Sequence, residues 1–137
     1  MKNEYTYDRT CVYQNRYHIV WCVMYRRKVL RPEISNRLYE LVQTIAKEKG
    51  FDIIECETYD CDHVSCIVSA PPKLSVTQIV KYIKGISGKI ILKEYPEIVP
   101  LLWNNQMWNN SYFCETLGTV SDEAVNKYIE RQKKCQH

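Results

Sequence analysis

The chain has 137 residues, of which 45% are hydrophobic and 26% charged, enough for one compact domain spanning 1–137 and too short for a multidomain enzyme. Nineteen Lys and Arg against sixteen Asp and Glu leave a formal net charge of +3, which permits a nucleic-acid partner without demanding one. No apolar run approaches the roughly 20 residues of a membrane span, and the polar start from Met1 to Asp8 is unlike a signal peptide, so a cytoplasmic protein without membrane contact is expected. Seven cysteines without a C-x-x-C pair signal neither a complete disulfide framework nor a zinc ribbon, and reduced thiols are expected.

Taken in chain order, Arg16 to Tyr25 is rich in aromatic and branched residues and reads as a largely buried strand, closed by the basic triplet Arg26, Arg27 and Lys28. Pro32 suits a first helical turn. Ile34, Leu38, Leu41, Val42 and Ile45 then recur at helical spacing, and Gly50 stands where a helix stops. Phe51 to Tyr59 and His63 to Ala70 are strand candidates separated by the turn-prone Asp60, Cys61 and Asp62, which predicts a hairpin.

Pro71 and Pro72 end the hairpin, and Ser75 with Gln78 forms a capping-box pattern. The second helix that follows has an apolar side through Val76, Ile79, Val80, Ile83, Ile86 and Ile90, and a basic side through Lys81, Lys84, Lys89 and Lys93. A loop around Pro96 and Pro100 leads to a fourth strand, Tyr112 to Thr116, ended by Gly118. Ser121 as cap, acidic residues at one end and Lys127, Arg131, Lys133 and Lys134 at the other predict a last helix.

The order strand, helix, strand, strand, helix, strand, helix is that of an α+β, ferredoxin-like or RRM-like antiparallel sheet with helices on one face and a C-terminal helix appended. The uncovered sheet face is a natural binding surface. On the third strand, alternation sends Val64, Cys66 and Val68 to the core and His63, Ser65, Ile67 and Ser69 to the other face, open or partner-covered. An imidazole there can take a metal or polarise a phosphate; a lone hydrogen-bonding histidine is the plainer alternative. On the last helix, Tyr128 and Gln132 stand four apart and share a face, though an amphipathic helix burying Tyr128 beside Val125 and Ile129 fits the same spacing.

Five stretches, in order, make the pattern specific. Tyr17 to Leu30 (YHIVWCVMYRRKVL), Asp62-His63-Val64-Ser65 with Val68 to Pro72, Val80 to Ser87, the run Leu102-Trp103, Ser111-Tyr112-Phe113 and Thr116-Leu117-Gly118, and Tyr128 to Gln132 together resemble the single-tyrosine HUH transposases of the IS-two-hundred-like transposase A family. The resemblance covers nearly the whole chain.

It implies a DNA transposase that cuts and rejoins single-stranded DNA at hairpin-bearing element ends through a 5′-phosphotyrosine. Carried over, Tyr128 is the nucleophile, Mg²⁺ or Mn²⁺ is held by the histidine pair of the third strand and by Gln132, and the helix of one subunit completes the site of the other in a homodimer with composite active sites. Here Ser65 stands in the position of the second histidine. Two imidazoles at alternate strand positions converge on one ion, whereas a neutral hydroxyl is a weaker ligand.

Three accounts of Ser65 follow. His63, Gln132, water and the phosphate hold the ion and activity is reduced; Cys61 supplies a replacement ligand; or the chain is a catalytically impaired or inactive transposase-derived dimer that still binds hairpin DNA or RNA. For binding, Arg26, Arg27, Lys28, Lys81 and Lys84 are candidate phosphate contacts, and Trp103 or Trp108 could stack on unpaired bases; solvated lysines and core aromatics are the alternative for each.

Overall fold

The computed structural model of the chain describes residues 15–117. Four strands and two long helices alternate along them: β1 (Asn15–Val23), α1 (Pro32–Lys49), β2 (Asp52–Tyr59), β3 (His63–Ala70), α2 (Val76–Glu94) and β4 (Trp108–Thr116). The strands form one sheet in the order β2-β3-β1-β4, every pairing antiparallel, which is the α+β ferredoxin-like arrangement expected from the element order. The expected last helix, with Tyr128 and Gln132, falls outside the described residues.

Both helices cover one face. Alternation sends Ile19, Trp21 and Val23 of β1 and Val64, Cys66, Val68 and Ala70 of β3 toward them, where they pack with Ile34, Leu38, Val42 and Ile45 of α1 and Ile79, Ile83 and Ile91 of α2. Helix α1 starts at Pro32, whose fixed φ and missing N–H suit a first turn, and ends at Gly50. Gly50 adopts φ +86°, and its N–H caps the Ala46 carbonyl. A Cβ there would meet no atom within 4 Å, so Gly50→Ala is expected to cost about 1–2 kcal/mol of stability from backbone strain alone, readable by chemical denaturation. Helix α2 begins with both halves of the Ser75–Gln78 capping box in place.

The structure differs from the sequence reading by more than one residue at two strand ends. β1 stops at Val23, because Tyr25 and Arg26 take left-handed φ values of 57° and 52° and turn the chain in a short 3₁₀ segment, Met24–Arg26. β4 begins at Trp108, four residues before the expected Tyr112, and its register against β1 shifts between Trp21 and Val23. Trp108 therefore belongs to the core. Its ring meets Trp21 edge-on at 5.8 Å between centroids and its Nε1–H donates to Ser87 Oγ, so it is no base-stacking platform; Trp103 is the exposed one, at 55%.

The second sheet face is not open at its centre. Every residue of β3 is buried, including His63, Ser65, Ile67 and Ser69 on the side away from α1 and α2, as are Arg16 and His18 of β1. No described helix is long and apolar enough to cross a membrane. The described cysteines carry no disulfide; Cys66 donates a thiol hydrogen bond to Cys56 across the β2–β3 pair at 2.9 Å.

Candidate metal and DNA site

His63 opens β3, immediately after the turn that joins it to β2, so its placement is set by the hairpin. In the sheet it is paired with Tyr59 on one side and Cys22 on the other. The Tyr59 ring stacks on the imidazole at 5.6 Å between centroids and 30° between planes, fixing one face of the ring. His63 Nδ1 lies 2.8 Å from Asp62 Oδ1. Burial works to raise the pKa of Asp62, but the hydrogen bond from His63 and the charges of Arg26 and Lys28 outweigh it and hold the carboxyl below the usual range. An ionised Asp62 accepts from Nδ1–H, and in the neutral imidazole this arrangement leaves the Nε2 lone pair for a metal ion.

Asp62 also gathers two residues of the basic triplet. Arg26 Nε is 3.5 Å and Lys28 Nζ 3.4 Å from Oδ2, and the Lys28 ammonium donates to the Asp60 carbonyl at 3.0 Å. Arg27 lies 5.9 Å from the centroid of the exposed Tyr25 ring. Two cations distant from His63 in sequence, Arg26 and Lys28, are thus brought beside it by the left-handed turn after β1. Ligand atoms of Asp60, Asp62 and His63 lie within 4.8 Å of one another, but the Asp62 charge is already matched by Arg26 and Lys28, which makes it an orienting group for His63. Cys61, the expected alternative ligand, sits exposed in the turn at φ 57° and outside this cluster.

Ser65 follows His63 on the same side of β3 and is 8% exposed. Its Oγ is 2.7 Å from His18 Nε2, a side chain of β1 that stands within an apolar run of the sequence. The register explains the meeting: Val20 faces Ser65 and His18 faces Ile67, so His18 is the diagonal neighbour of Ser65 on the shared side. Burial pushes the His18 imidazole below the usual histidine range, with Glu115 across the β1–β4 pair opposing the shift. Phe113 of β4 meets the same ring edge-on at 6.3 Å.

The lysines of α2 are not part of this cluster, since α2 covers the opposite sheet face. Lys81 is exposed there. Lys84 is half-buried, its ammonium donating to the Asn109 and Ser111 carbonyls at 2.6 and 3.3 Å, and burial lowers its pKa against the opposing pull of Cys22. Lys84 therefore ties α2 to β4. Tyr128 and Gln132 fall outside the described residues, so their relation to His63 is not part of this geometry.

Residues 11–132 match the family described as "Transposase IS200 like". The chain is 36% identical over 124 residues to the ISDra2 transposase TnpA of Deinococcus radiodurans, covering 90% of this chain and 88% of that protein. It is 26% identical over 117 residues to the transposase for insertion sequence element IS200 of Salmonella typhimurium, covering 85% and 76%. Among solved structures, a candidate transposase from D. radiodurans superposes with a TM-score of 0.74 at 28% identity, over 96% of this chain and 98% of that one. A REP-associated tyrosine transposase bound to a REP hairpin shares the fold, with a TM-score of 0.58 at 16% identity over 88% and 67%. The match along residues 11–132, with a relative 36% identical over most of its length, establishes that this chain belongs to the IS200-like transposase family.

Proposed function

We propose that the protein is a metal-dependent, single-strand-specific DNA transposase acting at hairpin-bearing element ends. The observation that carries the reading is the buried His63, oriented through Nδ1 by an ionised Asp62 and flanked by Arg26 and Lys28: a cation ligand and a phosphate-binding cluster in one place. Oxygen and nitrogen donors of this kind suit Mg²⁺ or Mn²⁺, with His63, Gln132 and the Ser65 position as the protein side of the shell. When bound, the ion polarises the scissile phosphate. The Tyr128 phenolic oxygen, its proton given up to solvent, attacks phosphorus; the bond from phosphorus to the 3′-side oxygen breaks, that oxygen takes up a proton from solvent and leaves as a 3′-hydroxyl, and the 5′-phosphate remains on the tyrosine. Hairpin DNA as partner is supported by the shared fold of the hairpin-bound tyrosine transposase.

A homodimer with composite sites is part of the same reading. β4 is an outer strand of the sheet and presents the exposed Phe113 and Tyr112, an edge that a second copy can cover.

The test is cleavage of labelled single-stranded DNA from the element's own ends with Mn²⁺ or Mg²⁺, by the native protein and by His63→Ala. Metal-dependent cutting that falls at least about tenfold in the variant is the expected result; cutting unaffected by chelator or by His63→Ala contradicts the reading. Ser65 favours one alternative, a catalytically impaired copy that binds hairpin DNA or RNA without cutting, and hairpin binding without any metal-dependent product would select it.

The basic triplet is tested separately. Replacing Arg26, Arg27 and Lys28 together by Gln should weaken single-strand binding and flatten the plot of log affinity against log salt by about 2, since each lost phosphate contact is worth about 0.7 on a single strand. An unchanged slope would remove the triplet from the interface. Lys81→Gln reports in the same assay on the exposed face of α2, and Lys84→Gln is expected to act through the packing of α2 on β4.

A further inference from the structure

We propose that His18 is a positioning residue that, by accepting a hydrogen bond from the Ser65 hydroxyl at Nε2, presents the Ser65 oxygen as a cation ligand alongside His63. The inference rests on the reading of His63 as a cation ligand. Ser65 and His63 are alternate residues of β3 and share its side away from the helices, so they stand where two ligands of one ion are expected on a strand. A serine hydroxyl alone is a poor ligand for a divalent ion because its lone pairs are free to point elsewhere and its oxygen is neutral.

His18 changes both properties. At 2.7 Å from Oγ the hydrogen bond is short, and with the imidazole accepting, the hydroxyl hydrogen is committed to β1 while the oxygen lone pairs remain for an ion. The same bond raises the electron density on the oxygen, as outer partners do for ligating side chains generally. His18 is itself held on two sides, by its place in β1 between β3 and β4 and by the edge of Phe113, and it is 1% exposed, so water does not compete for the Ser65 proton. Asp62 with His63 and His18 with Ser65 are then two parallel pairs, each an orienting group and a ligand. The resulting shell has one imidazole and one hydroxyl oxygen in place of two imidazoles, a harder donor set that suits Mg²⁺ and Mn²⁺ better than softer ions.

The test is titration of the full-length protein with Mn²⁺ alone, reading free ion by its electron paramagnetic resonance signal, with thermal unfolding of each variant as a control for folding. Ser65→Ala and His18→Gln are each expected to weaken Mn²⁺ binding about tenfold, and the double variant no more than either single one, because both act through one oxygen. His18→Gln within twofold of native, or single effects that multiply in the double variant, overturns the inference. His63→Ala separates the two levels. Loss of binding in His63→Ala with none in Ser65→Ala or His18→Gln overturns the role of the serine pair and leaves the cation reading standing, while binding unchanged by His63→Ala overturns both.

Discussion

Tyr128→Phe should abolish the covalent protein–DNA adduct and strand cleavage while leaving hairpin binding within about twofold of native. The substitution deletes one oxygen, the atom proposed to attack phosphorus, and keeps the aromatic ring. A phenol with a reference pKa near 10 is a weak nucleophile in water, so its reactivity depends on a nearby cation. Eleven tyrosines in the chain make this a demanding test of the assignment. Denaturing electrophoresis with 5′-labelled and 3′-labelled strands reads the result directly, and residual adduct in Tyr128→Phe would move the nucleophile to another residue.

Trp21→Ala should destabilise the fold by about 3–5 kcal/mol in chemical denaturation, a large part of what a domain of this size holds in reserve. Trp21 is 1% exposed at the centre of the sheet's helix-facing side and meets the Trp108 ring edge-on, so its removal empties the core where β1, β4 and α2 converge. Trp21→Phe should cost far less. The indole Nε1–H is buried without a hydrogen-bond partner among the described residues, so phenylalanine keeps a ring in the space and removes a donor whose unpaired burial costs about 1–3 kcal/mol. A loss below about 1 kcal/mol in Trp21→Ala would contradict the placement of Trp21 in the core.

How far the sequence spoke for the structure varied with the distance over which each signal acts. The periodic apolar face of α1, its Pro32 start and Gly50 stop, and the Ser75–Gln78 box of α2 are local signals, and each stands where local physics places it. The third strand was also readable to its last residue, because Pro71 and the Asp60–Asp62 turn bracket it. The start of β4 was not: Asn109 and Asn110 are poor strand formers, and only pairing of Trp108 with Val23 across the register shift extends the strand that far. Tyr25 looked like a strand residue, yet it turns left-handed to carry Arg26 and Lys28 to Asp62.

The candidate site divides in the same way. His63, Ser65 and their common side follow from alternation within one strand. His18 beside Ser65 does not, since it depends on the register between β1 and β3, two strands 47 residues apart at the hydrogen bond. The role of Asp62 was equally hidden, for a carboxylate next to a histidine in sequence orients it only if the turn brings Oδ1 onto Nδ1. Lys84 looked identical to Lys81 in the helical pattern, and only the packing of β4 separates a lysine bonded to two carbonyls from an exposed one. The family resemblance supplied Tyr128 and Gln132, which no spacing argument could distinguish from an ordinary amphipathic helix.

The most direct test of the account is a denaturing-gel assay of the native protein with single-stranded DNA from the hairpin-bearing ends of its own element, with and without Mn²⁺ and with a chelator added. A covalent adduct that requires the ion is the predicted result, and it would show that a site with serine in place of a second histidine supports strand cleavage. Tight hairpin binding with no adduct at any metal concentration would contradict it and leave recognition of hairpin nucleic acid as the protein's activity.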